Sequence, residues 1–321
     1  MSSVDFSQIR VFIMAAEENS FSAAARKLHM SQSAVSQNIH ALEQTYGVEL
    51  FIRRGRSVVL SEAGENILPT SREVLRTART LEDQLKNVNN EIGGELLIGC
   101  STSAGKYLMP SLLSNFQKKY PAVNPKVKIM SRDSVHERLL NENIPMGVSS
   151  KEFEHHSLES VPLFEDRVIL IVPIHHPWAE YGYATPDDLL EQRLILREEH
   201  SGTCETVMHA LKPFGITPDM LNVVMELGNP EAIEMAVERG VGIAFVSEMV
   251  AARGMTMGRV KKVAVEGLDL QRQIYMARHI GFPFTRAQSL FWDFAKAQYE
   301  MINSEIWESL VNFETVQQFQ V

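Results

Sequence analysis

The stretch 20-SFSAAARKLHMSQSAVSQNIHALEQTYGVELFIRRGRSVVLSEAGE-65 decides the fold of the N-terminal part of the chain. Ser22 precedes an alanine-rich helix, and Ser31 caps a further helix whose apolar residues recur at helical spacing. Two short strands follow, around a tight turn at Gly55. With the amphipathic helix that ends near Asn19, this order of elements predicts an all-α winged helix-turn-helix domain.

The helix that begins after Ser31 has uncharged polar side chains opposite its apolar stripe. Such side chains suit the base edges of a DNA major groove, whereas an idle solvated face is usually charged. Between residues 19 and 60, five basic side chains outnumber two acidic ones. The alternative is a small structural three-helix domain. We predict that base edges are contacted by Gln32, Ser33, Ser36 and Gln37, phosphates by Ser22 and Ser31, and the DNA backbone or minor groove by Arg53 and Arg56.

The same stretch closely resembles the LysR-type transcriptional regulators. The resemblance rests on a Phe-Ser-x-Ala-Ala block at 21–25, a Ser-Gln-Ser-Ala-Val-Ser turn and helix at 31–36, a Leu-Phe-x-Arg-x-x-Arg wing at 50–56 and a Ser-x-Ala-Gly close at 61–64. It implies a regulator that binds double-stranded DNA, with a dimerising linker helix. It also implies a two-lobed α/β effector domain similar to periplasmic solute-binding proteins.

From Glu62 to about residue 90 the chain is predicted to form one long helix. Apolar residues repeat there at spacings of 4 and 3, which indicates a coiled-coil seam and therefore a homodimer. A helix packed on its own domain is the alternative, and Pro69 is expected to bend or start the helix. We expect a homotetramer as the full assembly. The seam consists of Val74, Ala78, Leu81, Leu85 and Val88.

Beyond Gly94, short apolar strands alternate with helices, which predicts mainly parallel sheets covered by helices. Chain crossings near 164–167 and 266–273 would enclose a second lobe. We therefore expect a DNA-binding domain at 1–64, a linker at 65–92 and an effector domain at 93–321, with lobe I at about 93–166 and 268–300 and lobe II at about 167–267. The predicted strands are 95–100, 126–130, 167–173, 193–197, 221–227, 242–246 and 271–277.

Ligands of open α/β sheets bind at the carboxyl ends of strands, where helices begin. Hydroxyl groups beside the free N–H groups of a helix start favour an anion, although ordinary capping is the alternative at each place. Lys106 could add a full positive charge. The stretch 99–110, with 201–203, also resembles family members that regulate inorganic sulfur, nitrogen or carbon assimilation. The predicted residues for a small, anionic effector are Ser101, Thr102, Ser103, Arg197, Ser201, Thr203 and Asn229.

Composition excludes several other classes of protein. The 321 residues are 45% hydrophobic and carry a formal net charge of −9, as in ordinary globular proteins. No apolar run approaches the roughly 18 residues of a membrane span, and no export sequence is found, so a cytoplasmic protein is expected. Catalytic and metal-binding motifs are missing as well, so we expect no enzyme, cofactor or metal. Two rival interpretations stay open: an enzyme or solute-binding module with an accessory DNA-binding domain, and an architectural DNA binder without a ligand.

The two cysteines, Cys100 and Cys204, leave a redox role open. A position near a helix N-terminus could lower the pKa of Cys204, and Cys100 could face it across the cleft. Peroxide-sensing members of the resembled family have their reactive cysteine directly after a His in this loop, whereas Ser201 follows His200 here. A small buried cysteine is therefore the favoured interpretation.

Overall fold

The computed structural model describes residues 5–54, 57–86 and 92–299. These residues belong to two compact units that divide between Asn90 and Glu91. Each unit is considered by itself below. Within the described residues, no helix combines the length and the apolar character that crossing a membrane requires.

The first unit has the predicted order of three helices and a two-stranded wing. Buried Phe12, Ile39 and Leu50 form its core with other apolar side chains of the three helices and the wing. The second helix begins earlier than expected, because Ser20 and not Ser22 is its cap and accepts from the N–H of Ala23 at 3.2 Å. The elements are α1 Phe6–Glu18, α2 Phe21–Leu28, α3 Gln32–Tyr46, β1 Phe51–Arg54 and β2 Ser57–Leu60.

Helix α4 spans Glu62–Lys86 and passes through Pro69 without ending. Proline removes one backbone hydrogen bond from a helix interior. The backbone hydrogen bonds of the neighbouring turns therefore keep α4 helical on both sides of Pro69. On the predicted seam, Leu81 and Leu85 have 55% and 64% of their surface exposed in the single chain. Leucines this exposed on a long helix are what an unpaired coiled-coil seam presents. Val88 lies outside the described residues.

The second unit is built on one mixed sheet. The strand order is β4-β3-β5-β12-β6-β10-β8-β9, and β11 pairs with β6 and β7. Its strands are β3 Gly94–Ser101, β4 Val123–Met130, β5 Met146–Ser149, β6 Leu158–Pro173, β7 Tyr183–Ala184, β8 Leu194–Leu196, β9 Val223–Glu226, β10 Ile243–Ser247, β11 Val260–Val265 and β12 Gln271–His279. Its helices are α5 Met109–Lys119, α6 Arg132–Leu140, α7 Pro177–Tyr181, α8 Gly202–Leu211, α9 Pro230–Glu238, α10 Glu248–Thr256 and α11 Arg286–Ala297.

Strand β6 joins the two lobes. Its first part pairs antiparallel with β12, up to Arg167 opposite Gln271. From Val168 onward it pairs with β10 and β11 instead. The parallel pairs β3–β4 and β8–β9 thus lie in different lobes, and the antiparallel strands β6 and β12 form the junction between them. The junction lies where the sequence predicts its chain crossings, although β6 begins nine residues earlier than the predicted strand at 167.

Helices α8 and α9 cover opposite faces of the lobe II sheet. Val168 and Leu170 of β6 share a buried cluster with Val207 of α8. Ile169, between them, packs in another cluster with Ile233 of α9. Because side chains alternate along a strand, the two helices lie on the two sides of the sheet.

We predict that charges on the exposed seam of α4 weaken dimerisation. Burying a leucine side chain is worth about 1.5–3 kcal/mol, and a lysine head group on a dimer seam would stay unpaired. The double substitution Leu81→Lys and Leu85→Lys should therefore shift the protein toward monomer in sedimentation velocity. Thr80→Lys, which adds a charge one position before the seam, is the control. Equal dissociation constants for the double variant and wild type would show that α4 does not form the dimer contact.

Candidate DNA-binding and effector sites

The predicted base-reading residues begin helix α3. Its cap is confirmed at Ser31, whose Oγ accepts from the N–H of Ala34 at 3.1 Å. Gln32, Ser33 and Gln37 are exposed, and Ser36 is half-buried. The opposite face of the helix is buried in the core of the unit. The exposed face of α3 therefore consists of side chains that donate and accept hydrogen bonds without net charge.

The carboxylate of Glu43 connects the wing to α3 by hydrogen bonds, a role that its sequence position does not indicate. Oε1 of Glu43 accepts from the backbone N–H of Leu50 at 2.8 Å and of Phe51 at 3.3 Å. These bonds fix the start of β1 against the C-terminal half of α3. Arg53 lies in β1 opposite Val58, and Arg56 lies outside the described residues. The contacts proposed for Ser22, Arg53 and Arg56 stay predictions.

One cleft in the second unit is lined by residues of both lobes. It encloses a volume of about 70 Å³, enough for a few water molecules or a small ligand. Six of the seven predicted effector residues line it: Ser101, Thr102, Ser103, Arg197, Ser201 and Thr203. The cleft is also lined by residues that the strand-end pattern did not predict: Met130, Ser131, Arg132, Ser150, Glu198, His200, Gly202, Arg272 and Ile274.

The seventh predicted residue, Asn229, is not in the cleft lining. Its Oδ1 accepts from the N–H of Ala232 at 3.0 Å, so it caps α9. The N-terminus of α8 begins at the cleft, whereas α9 covers the other face of the sheet. Assigning Asn229 to the cleft was therefore wrong, and its observed role is capping.

Lys106 does not supply charge to the cleft either. It follows Ser101–Ser103 in a π-helical turn at Ala104–Leu108. Its Nζ donates to both carboxylate oxygens of Glu231 in α9, at 2.9 and 2.7 Å, and the hydroxyl of Tyr107 donates to the same group at 2.9 Å. Lys106 thus connects lobe I with lobe II outside the cleft lining.

Three arginines supply the positive charge of the cleft. Arg272 projects from β12, where Nε and Nη2 donate to the buried Asp166 at 2.8 and 2.6 Å. Its Nη1 donates to Oγ1 of Thr203 at 3.1 Å. Arg197 is held by a two-pronged contact with the carboxylate of Glu198, at 2.7 and 2.6 Å. The third arginine comes from lobe I.

Arg132, the first residue of α6, reaches across to lobe II. Its Nε and Nη2 donate to the carbonyl of His200 at 3.1 and 3.0 Å, and its Nη1 donates to Glu205 at 2.6 Å. Two of the arginines meet at Gly202. A Cβ atom there would lie 2.3 Å from Oγ of Ser150, 3.0 Å from Nη1 of Arg272 and 3.4 Å from Nη1 of Arg132. Only glycine allows this close approach, because any side chain would collide with Ser150.

The cleft combines two helix N-termini with these guanidinium groups. Ser201 caps α8, accepting from the N–H of Cys204 at 3.1 Å, and Ser101–Ser103 lead into the first helical turn of lobe I. The first N–H groups of a helix lack partners within it and carry positive potential. Hydroxyls, N–H groups and guanidinium groups are all donors that bind oxyanions and carboxylates. Chemically, the cleft suits a small anion.

Neither cysteine has the environment of a reactive thiol. Cys100 is fully buried in the lobe I core, and burial raises the pKa of its thiol. Burial also raises the pKa of Cys204, and the carboxylates of Glu226, Glu199 and Glu198 raise it further. The lowered pKa considered for Cys204 is therefore wrong, because desolvation and acidic neighbours outweigh the lowering effect of Arg197. The described residues contain no cluster of three or more metal-ligating side chains.

Comparison with known proteins agrees with both halves of the chain. Residues 6–65 match the family model described as bacterial regulatory helix-turn-helix protein, lysR family, and residues 89–300 match the LysR substrate binding domain. A probable RuBisCO transcriptional regulator of Cyanophora paradoxa is 30% identical over 302 residues, covering 93% of each chain.

Two solved structures are similar in fold. Full-length CbnR, crystallised with its target DNA, superposes with a TM-score of 0.65 at 23% identity over 92% of this chain and 99% of that one. The regulatory domain of CcmR from Synechocystis PCC6803, in complex with 2-PG, has a TM-score of 0.58 at 25% identity over 64% of this chain and 97% of its own.

We predict that the Arg272 and Asp166 pair contributes strongly to stability. Asp166 is fully buried, so Arg272→Ala would leave an uncompensated buried carboxylate, at a cost of about 3–5 kcal/mol. Urea unfolding of the full chain measures this loss. The control is Lys126→Ala, which breaks the ion pair of Lys126 with Glu95, two side chains that are each about half exposed. It should lower the free energy of unfolding by no more than about 1 kcal/mol. Similar losses for the two variants would contradict this assignment.

Proposed function

The chain belongs to the LysR family of transcriptional regulators, and from this premise we propose that its effector is a small anion bound in the cleft between the two lobes. The observation that carries the proposal is the convergence of Arg132, Arg197 and Arg272 on hydroxyl groups and helix N-termini. The complex of the CcmR domain with 2-PG supports it, since that ligand occupies a domain of the same fold. A phosphorylated or carboxylated metabolite fits these donors.

The proposed mechanism couples the cleft to DNA through the oligomer. An effector shifts an equilibrium only if it binds one arrangement of the lobes better than another. Contacts to both lobes satisfy this condition, because ligand atoms that bridge Thr102 and Thr203 depend on the lobe spacing. We propose that the homodimer formed through α4, within a homotetramer, transmits this change to paired DNA-binding domains. The proposal includes a cytoplasmic regulator without enzymatic activity.

On DNA, we propose that α3 enters the major groove and that the wing lies on the backbone beside it. The exposed residues Gln32, Ser33 and Gln37 would read base edges, with Ser36 beside them, and Arg53 and Arg56 would neutralise phosphates or enter the minor groove. Ser22 and Ser31 would contact phosphates at the starts of α2 and α3. CbnR, crystallised with its target DNA, supports this arrangement through its shared fold.

We predict different effects for the wing and for the reading helix. Arg56→Ala should weaken binding to all DNA sequences. It should also reduce the steepness with which log K falls with log salt concentration, the salt slope, by about one per DNA-binding domain, because one phosphate contact is lost. Gln32→Ala should leave the salt slope unchanged and should reduce the ratio of affinities for the operator and for random DNA. Fluorescence anisotropy on the DNA upstream of the gene, at several salt concentrations, measures both quantities. Lys128→Ala, on the second unit, is the matched loss of charge. An unchanged salt slope for Arg56→Ala would exclude a phosphate contact by the wing.

We also predict that the effector site depends on hydroxyls from both lobes. Thr102→Val and Thr203→Val should each lower the affinity for 2-phosphoglycolate or sulfate about tenfold or more, since a hydrogen bond to a charged group is lost. Calorimetry on the full chain measures the affinity. Thr206→Val is the matched control, because its hydroxyl donates to the carbonyl of Gly202 within α8.

A third variant tests the space in the cleft. Gly202→Ala places a methyl group against Ser150 and should abolish anion binding. Tight binding that survives all three substitutions would place the effector elsewhere.

A further inference from the structure

Each arginine of the cleft is already held by a carboxylate of the chain, and these carboxylates differ in exposure. The partner of Arg272, Asp166, is 0% exposed. The side chains of the other two partners, Glu198 and Glu205, are 42% and 65% exposed. Glu198 lines the cleft itself, whereas Asp166 and Glu205 hold their arginines from outside its lining.

The difference in exposure decides which carboxylate a ligand displaces. Releasing Asp166 would leave a buried charge without its partner, which is strongly unfavourable. Glu205 returns to water at little cost, because its carboxylate side chain is already 65% exposed. Its position in the first turn of α8 also favours its charge when it is unpaired, since a helix N-terminus carries positive potential.

The ion pair of Glu205 is the one of the three that joins two helices of different lobes. Arg132 begins α6 of lobe I, and Glu205 belongs to α8 of lobe II. The Arg132 side chain is 9% exposed and lines the cleft. Its Nη1, which holds Glu205, also lies beside Gly202, 3.4 Å from the position of a Cβ atom there. Its other two donors are bound to the carbonyl of His200. Nη1 is therefore the nitrogen of Arg132 whose partner is an exposed carboxylate and not a backbone carbonyl.

We propose that Glu205 is a built-in competitor of the effector at Arg132. In the free protein the Arg132 and Glu205 pair ties the lobes together, and a bound anion takes the place of the carboxylate at Nη1. Occupancy of the cleft is thereby coupled to the loss of one interlobe bond. This inference rests on the proposed anionic effector, and it adds how the site is regulated.

The first test measures anion affinity in the full chain. Glu205→Gln should bind 2-phosphoglycolate or sulfate about two- to fivefold more tightly in calorimetry, the range that an exposed ion pair is worth. Glu199→Gln removes the same charge from the exposed loop before α8, outside the cleft lining, and should change the affinity little. In an Arg132→Met background the gain from Glu205→Gln should vanish. Equal affinities of Glu205→Gln and Glu199→Gln would overturn the proposal.

The second test needs no ligand. Spin labels at Glu137 on α6 and His209 on α8, both exposed, report the spacing of the two helices in a Cys204→Ser background. Glu205→Gln should broaden the distance distribution, and Glu199→Gln should leave it as in wild type. An unchanged distribution in Glu205→Gln would overturn the tie between the lobes. A broadened distribution, with neither anion bound by any variant, would instead contradict the anionic effector and support the tie.

Discussion

The buried ion pair of Arg272 and Asp166 is the constraint on which the two-lobed unit depends. An ionised carboxylate without exposure has to be matched by charge and by hydrogen bonds. Arg272 supplies the charge from β12, and Ser247 of β10 donates a further bond at 2.6 Å. The pair therefore joins three strands where the lobes meet. Because the remaining edge of the guanidinium group donates to Thr203, the charge that stabilises the junction also shapes the cleft.

The features that sequence analysis predicted well are those fixed by local rules. Helix α3 follows from a cap and an apolar stripe within 15 residues, and the wing follows from a turn between two short apolar runs. The hydroxyl groups at 101–103 and 201–203 were found because each follows a strand and starts a helix. That rule requires only neighbouring residues. It says nothing about which face of the sheet each helix covers, and this is why it failed for Asn229.

The features that it missed depend on the tertiary arrangement. Arg132 follows the end of β4 and begins a helix, so the strand-end rule could have found it. Arg272 lies inside a strand, and nothing in the neighbouring sequence distinguishes it from any exposed strand residue. Its role follows from the pairing of β12 with β6, which brings together residues 106 positions apart. The raised pKa of Cys204 in α8 has the same origin, since its acidic neighbour Glu226 belongs to strand β9.

The short range of electrostatics in salt solution explains how an acidic protein can bind DNA, and how it could bind the anionic effector that we propose. With a net charge of −9, the chain as a whole repels DNA and anionic metabolites. Charges in salt solution are screened beyond about 8–10 Å, however, so binding depends on the local distribution. In the first unit, residues 19–60 carry five basic side chains against two acidic ones, and the exposed side chains Gln32, Ser33 and Gln37 of α3 are uncharged. Each arginine of the cleft is paired with a carboxylate of the chain, and in our proposal the affinity for an anion depends on how readily that carboxylate is displaced. In this proposal the exposed Glu205 is the partner that an anion replaces at Arg132, and the buried Asp166 is the partner that Arg272 keeps.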